Sequence, residues 1–308
     1  MISLVVLSQS QMPFSWHQRV SWKNSTILRY EETPMKNNDS LKPTYETATG
    51  PIGFTLKSDM LFHLTMQQST AALTSLVCSL KGIDPSTVKS IHVENPIDIN
   101  SAQKETVMDI KLTLNSNEII NIELQLYIDK YWKDRSILYL CRAFDSLKES
   151  DDYSMLKPTI HFCITDIDLF KDNQRFYSRY YLMEEKTHQI YSKNFSIGVL
   201  QLQYRNKATR KDKSNNLVFW ANLISAETWE EFKALAEDDP AIKEVGNLML
   251  QMNADDATRE ALEAQRKYRE QYASQYKAGY TDCEEKLTPI IEELVDKLAQ
   301  YKEKYGDL

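Results

Sequence analysis

Between Thr106 and Leu126 the chain reads TVMDIKLTLNSNEIINIELQL, and its apolar residues recur with a period of two. In the first run Met108, Ile110, Leu112 and Leu114 share one face, and Val107, Asp109, Lys111 and Thr113 share the other. In the second run Ile120, Ile122, Leu124 and Leu126 oppose Ile119, Asn121, Glu123 and Gln125. Such alternation is the signature of strands, and Asn115-Ser116-Asn117 supplies the turn between them. A slip of one residue would turn an apolar face to the wrong side, so the register must align the two apolar faces. A three-residue loop does this by pairing Leu114 with Glu118, which places Asp109 directly opposite Glu123. Residues so opposed have Cβ atoms about 4.5–5.5 Å apart. Two carboxylates at that spacing repel each other unless a cation or a proton lies between them.

Composition sets bounds on the partner. The 308 residues are 42% apolar and 26% charged, which suits a soluble globular chain able to bury a full core. Seven glycines are few, and neither phosphate-cradling glycine motif occurs. Cys78, Cys141, Cys163 and Cys283 show no short paired spacing and read as buried thiols of a reducing cytoplasm. The formal charge of −7 is unevenly spread: residues 227–308 hold 20 acids against 11 bases, so residues 1–226 hold 24 acids and 26 bases. The acidity lies in the tail, and the remainder is free to meet a polyanion. No apolar run reaches the ~18 residues that span a bilayer, and the N-terminus lacks a basic region and cleavage site of secretory type. Residues 1–50, with their Asn, Ser, Thr and Pro clusters, read as a disordered leader, and Met35 is a candidate start.

Periodicity also divides the chain into elements. Met60 to Gly82 has helical spacing and a glycine stop, Val88–Val93 reads as a short strand, and the hairpin comes next. Asp129–Glu149 reads as an amphipathic helix with Ile137, Leu140, Cys141, Phe144 and Leu147 as its apolar stripe. Thr159–Asp166 reads as a buried strand, with two more at Phe176–Met183 and Phe195–Leu202. A strand–helix–strand passage implies a parallel neighbour, hence a mixed α/β sheet flanked by helices. The expected divisions are residues 51–215 for this core with its β extension and 216–308 for a helical extension. In the latter, Thr228 to Glu231 is a capping box, Thr288-Pro289 is a helix-start pair, and Asp255–Tyr305 reads as long projecting helices with Tyr268, Tyr272 and Tyr276 in line. The simplest reading of that line is a solvated or weakly self-associating helix.

The Asp109, Glu123 and Gln125 cluster admits three readings: a solvated sheet face, a Mg²⁺ or Mn²⁺ site built from hard oxygen ligands, or a non-catalytic divalent-ion or ligand site. The residues resemble a known family here. An Asp followed after a hairpin by Glu-x-Gln, then a helix carrying RSILYLCRAFD, resembles the PD-(D/E)XK nuclease superfamily, and within it the recombination-promoting nucleases of Rpn type described as transposases. SDMLF at Ser58–Phe62, NPI at Asn95–Ile97, KPTIHFCITDIDLF at Lys157–Phe170 and TWEEFKALAE at Thr228–Glu237 extend the likeness over roughly residues 52–275.

The resemblance implies a restriction-endonuclease-like α/β fold and a metal-dependent DNA endonuclease linked to recombination or mobile elements. Asp109 and Glu123 would hold Mg²⁺, or Mn²⁺ in its place, with the backbone carbonyl of Leu124. The ion would acidify a water and neutralise charge on the scissile phosphate. Gln125 stands where the parent motif has lysine; it can orient a water but carries no charge. The expected alternative is a lapsed nuclease fold that binds DNA or acts in assembly, and RNA is the rival substrate. Arg135 and Arg142, with Tyr139 between them, are candidates to face a phosphate. Asp59 is a candidate supporting or third ligand, or a helix cap. Arg205, Lys207, Arg210, Lys211 and Lys213 form a basic run suited to the DNA backbone. His63, His161 and His188 share no spacing and read as structural. A homodimer is expected from the need to cut two strands, in a cytoplasmic protein with no membrane partner.

Overall fold

The computed structural model describes residues 44–97, 109–127, 129–172 and 174–306. Val107, Met108 and most of the expected leader lie outside them. Order begins earlier than Gly50, because Tyr45 is buried with its ring edge-on to Phe232 at 5.8 Å.

Among the described residues six strands form one mixed sheet in the order β1-β2-β3-β4-β6-β5. They are β1 (Ile91–Val93), β2 (Ile110–Leu114), β3 (Glu118–Gln125), β4 (Thr159–Thr165), β5 (Tyr177–Tyr181) and β6 (Phe195–Gln201). The hairpin forms in the register that the alternation requires, with Leu114 opposite Glu118 and Ile110 opposite Ile122. Asn115 and Ser116 both take positive φ, the backbone a tight hairpin of right-handed twist demands. Strands β3, β4 and β6 run parallel, so Gln125, Thr165 and Gln201 end in one row.

The sheet's two faces differ in chemistry. Ile110, Leu112, Ile122, Leu124, Phe162 and Leu200 join one large apolar cluster, and most helices supply its other wall. These are α1 (Asp59–Gln68), α2 (Thr70–Lys81), α5 (Leu217–Ser225), α6 (Trp229–Ala236), α7 (Pro240–Ala254) and the first turns of α8 (Asp256–Tyr305). The short α4 spans Arg210–Ser214. The single helix expected over Met60–Gly82 is broken at Ser69, whose hydroxyl accepts from Ala72 N and starts α2; Gly82 then ends it in the left-handed region at φ 68. The capping box at Thr228 and Glu231 forms as expected.

Helix α3 (Trp132–Phe144) covers the opposite face, over β3, β4 and β6. Its buried line is Trp132, Ser136 and Leu140, whereas Ile137 and Leu138 are 50% and 46% exposed and Cys141 is also exposed. The expected stripe is thus corrected by part of a turn. The sheet face beneath α3 is polar along β3 and at His161 but apolar at Cys163, Val199 and Ile197, so the helix turns towards it Trp132, which bonds Glu123 and packs on Cys163 and Val199, and a small residue, Ser136. Of the cysteines only Cys78 and Cys163 are buried. Gly198 of β6 fits a close approach: a Cβ there would stand 2.5 Å from the Phe162 ring.

The start expected at Thr288-Pro289 does not occur, because α8 runs through it. Pro289 removes the amide that would meet the Glu285 carbonyl. Both residues lie on the solvated side of an exposed stretch, and Thr288 Oγ1 bonds back to Glu284 O at 2.8 Å. No helix among the described residues is long and apolar enough to cross a membrane.

Candidate active site

The polar residues of β3 meet β4 and α3 in a closed hydrogen-bond network. Parallel pairing sets Asn121 beside His161 and Glu123 beside Cys163. Asn121, Glu123 and Gln125 are all buried, at 8%, 5% and 8% exposure, so the face is internal and the solvated-surface reading falls away. Asp109 stands just before β2, and continuing the hairpin register puts it opposite Glu123. Its carbonyl accepts from Asn95 Nδ2 at 2.8 Å, and Asn95 Oδ1 accepts from Lys111 N at 2.8 Å, which pins the main chain there. Asn95 is itself the first residue of the NPI segment.

Asn121 Nδ2 donates to Asp109 Oδ2 at 3.2 Å and to His161 Nδ1 at 3.0 Å. Since Nδ1 accepts, the ring proton sits on Nε2, which donates to Glu123 Oε2 at 3.1 Å. Trp132 Nε1 donates to the same oxygen at 3.2 Å, and Arg135 Nη2 donates to Glu123 Oε1 at 2.5 Å. The two carboxylates therefore diverge. Burial, then the charge of Glu123, pushes the Asp109 pKa up to about 6. Burial also pushes Glu123 upward, but the His161 bond, Arg135 and Trp132 outweigh it and hold that carboxyl below its ordinary value.

Gln125 is fixed at both ends of its amide. Its Oε1 accepts from Arg135 Nη2 at 2.5 Å, and its Nε2 donates to the carbonyl of Tyr127. Arg135 also meets Asp129 at 2.6 Å and lies 5.8 Å over the Tyr139 ring, while Tyr139 sits edge-on to His161 at 6.4 Å. The positive charge beside Gln125 is thus that of Arg135 on α3, and it is engaged by the Glu123 and Asp129 carboxylates. Arg142, two turns on, is exposed and makes no hydrogen bond or ion pair among the described residues.

Other sequence candidates fall in different places. Asp59 pairs through both carboxylate oxygens with Arg269 of α8, whose guanidinium lies 5.2 Å over Tyr127. Its connection to Gln125 is therefore indirect, through Tyr127. Arg205, Lys207, Arg210, Lys211 and Lys213 are all exposed and follow the C-terminal end of β6, the same sheet edge that Gln125 occupies. Arg205 bonds Asn222 at 3.3 Å and Lys207 bonds Gln174 at 2.9 Å. A cleft of about 240 Å³ opens at this edge, between Trp132 with its neighbours Asp129, Lys130 and Lys133 and the loop Ile167 to Leu169. Carboxyl ends of parallel strands are where open α/β sheets bind ligands.

His161, read as structural, is fully buried in β4 and bonds Glu123, so its structural part is to hold that acid. Asn121, Trp132 and Asp129 are the other participants that sequence reasoning missed. One signal was available. Laying IINIELQ against TIHFCIT as parallel strands puts His161 beside Asn121 on the polar face.

Asp109 and Glu123 are hard oxygen donors, and a raised Asp109 pKa is the electrostatic deficit that a divalent cation offsets. Asp109 keeps one oxygen free of any hydrogen bond among the described residues. Among those residues no three His, Cys, Asp or Glu side chains gather as a metal cluster, so Asp109 and Glu123 are the pair of hard donors the site offers a cation.

The family model for PD-(D/E)XK nuclease family transposases matches residues 57–279. No curated protein and no solved structure matches the chain. The family match spans most of the sequence and both halves of the polar network. With its six-stranded mixed sheet, flanking helices and paired acids across a hairpin, this chain belongs to the PD-(D/E)XK nuclease family transposases, and its domain is of nuclease and transposase type.

Proposed function

We propose that the chain is a divalent-metal-dependent DNA endonuclease that hydrolyses phosphodiester bonds at the Asp109–Glu123 pair. The observation that carries this reading is the asymmetry of the pair: two opposed acids on a buried face, one held ionised by three donors and the other pushed up to about 6. Mg²⁺, or Mn²⁺, bound there with the Leu124 carbonyl would supply charge neutralisation and Lewis acidity. The chain's own residues do the rest. His161 and Trp132 hold Glu123 in one orientation, and Asn121 ties Asp109 to the same frame. Arg135 places a positive charge beside Gln125, where a nucleic-acid phosphate approaching the strand ends would meet it. The exposed cations from Arg205 to Lys213 suit contact with the backbone rather than with bases. On this reading residues 51–215 hold the catalytic core and 216–308 the helical extension, in a cytoplasmic enzyme acting on DNA in recombination or element mobility.

A specific observation favours a second reading. Arg135 already bonds both Glu123 and Gln125, so Glu123 is paired without a metal, as in a lapsed nuclease that binds DNA. A plasmid-nicking assay with EDTA, Mg²⁺, Mn²⁺ and Ca²⁺, run beside Glu123→Ala and with RNA in parallel, separates the two. Metal-dependent nicking lost in the variant supports the enzyme. A folded wild type that binds DNA and leaves it intact supports the lapsed form.

A further inference from the structure

Helix α8 keeps one face through its whole length. With 3.6 residues per turn, Thr258, Ala261 and Leu262, which are buried in the body, define an arc of about 100°. Apart from Lys297 at its margin, which pairs with Glu293, the same arc is aromatic or apolar from Tyr272 to Tyr305, yet there its large side chains stand 48% to 69% exposed. A core-facing stripe therefore continues for a further ~50 Å with nothing beneath it among the described residues. Charge narrows what covers it. Between Asp282 and Asp296 the helix bears six acids and one base, Lys286, which repels a nucleic acid or an anionic membrane.

We propose that this stripe docks antiparallel on the same stripe of a second copy of the chain. The pairing rests on α8 alone and is independent of the nuclease reading. The spacing is self-complementary when reversed. One register sets Tyr272 against the partner's Tyr305, Tyr276 against the partner's Tyr301, Cys283 against the partner's Leu294, and Leu287 against the partner's Ile290, with Tyr280 between the partner's Lys297 and the partner's Leu298.

The body decides the direction. Arg266 lies 5.5 Å over Phe54 and Arg269 pairs with Asp59, so the body occupies the stripe side of α8 up to Arg269. A parallel pair would drive two bodies into one seam. In the antiparallel register each helix ends at Tyr305 beside the partner's Tyr272, where the partner's body begins. Ten side chains, each burying roughly half of the ~150–250 Å² an aromatic offers, remove on the order of 800 Å² per copy, the size of a standard interface. The same register brings Lys286 towards the partner's Glu293, twice by symmetry. It also brings Lys277 towards the partner's Lys302, a repulsion at the two ends that salt screens.

The test uses the full chain. Light scattering coupled to size exclusion is expected to read a dimer, and Leu287→Asp with Leu294→Asp to read a monomer of unchanged circular dichroism, with affinity down at least about a hundredfold. The direction is read by cross-linking in a Cys141→Ser background. Cys283 and the partner's Cys283 would be offset by eleven residues, about 16 Å, beyond disulfide reach. Leu294→Cys is expected to give a covalent dimer under mild oxidation, and Cys283 alone none. A monomeric wild type, a dimer indifferent to the two aspartates, or ready linkage of Cys283 to itself would overturn the proposal. None of these results depends on whether DNA is cut.

Discussion

His161 Nε2 donates to Glu123 Oε2 at 3.1 Å across 38 residues of chain, and the same ring accepts from the Asn121 amide that holds Asp109. Both acids are therefore anchored to one imidazole, directly or through one side chain. Burial makes each bond consequential, because a donor or acceptor left unpaired at such depth costs about 1–3 kcal/mol.

Replacing this ring tests the network. His161→Ala leaves Glu123 Oε2 with Trp132 as its one donor and strips Asn121 of an acceptor. The expected loss is about 2–3 kcal/mol in urea unfolding. A loss below ~0.5 kcal/mol would mean that the bonds do not hold the site.

Asp109 carries a pH signature. Its pKa is about 6 in the folded protein against about 3.9 in an unfolded chain. Between those values the folded state holds a proton that the unfolded state has released, so this group lowers stability as pH rises from about 4 to about 6. Above that its contribution is flat. In EDTA, Asp109→Asn removes the slope and is more stable than wild type at pH 7 by on the order of 1–2 kcal/mol, the two converging near pH 4. Paired urea melts across this range check it; an equal or weaker variant at pH 7 contradicts the repulsion.

Arg135→Ala takes one donor from both Glu123 and Gln125. With its side chain 31% exposed, the pair is partly screened, and the expected loss is about 1–2 kcal/mol at neutral pH. Glu123 is held below its ordinary pKa, so the stabilisation is present at neutral pH and fades as acid protonates that carboxylate. The gap between variant and wild type should accordingly shrink below about pH 4. A gap constant with pH would point to packing instead of charge.

Asp59 distinguishes a clamp from a ligand. Asp59→Asn is expected to cost about 1–3 kcal/mol, since it leaves Arg269 without its carboxylate in a pair whose side chains are 21% and 13% exposed. On the proposed metal site at the Asp109–Glu123 pair, a melting shift on adding Mg²⁺ should persist in this variant. A stable variant that no longer responds to Mg²⁺ would make Asp59 a ligand after all.

Much of this architecture is local and so was readable from residue order. The hairpin register follows from a period of two, and it located Asp109 against Glu123. The glycine stop at Gly82 and the capping box at Thr228 depend on bonds that close within one turn. The parallel pairing of β3 with β4 followed from the strand–helix–strand order.

Tertiary structure decided whatever depends on partners distant in sequence. The orientation of α3 could not be read from its own stripe, because exposed Ile137 and buried Ser136 are distinguished only by the sheet residues beneath, polar at Glu123 and His161 and apolar at Cys163 and Val199. Arg135 is engaged by Glu123, Gln125 and Asp129 only because α3 crosses the ends of β3, and Asp59 meets Arg269 across 210 residues. Pro289 was expected to begin a helix; inside α8 its missing amide faces water, where the loss is small. The sequence alone determined which acids oppose each other, since alternation and turn length are properties of neighbouring residues. Which groups hold those acids was decided by packing, since a buried charge is oriented by whatever donors the fold brings to it.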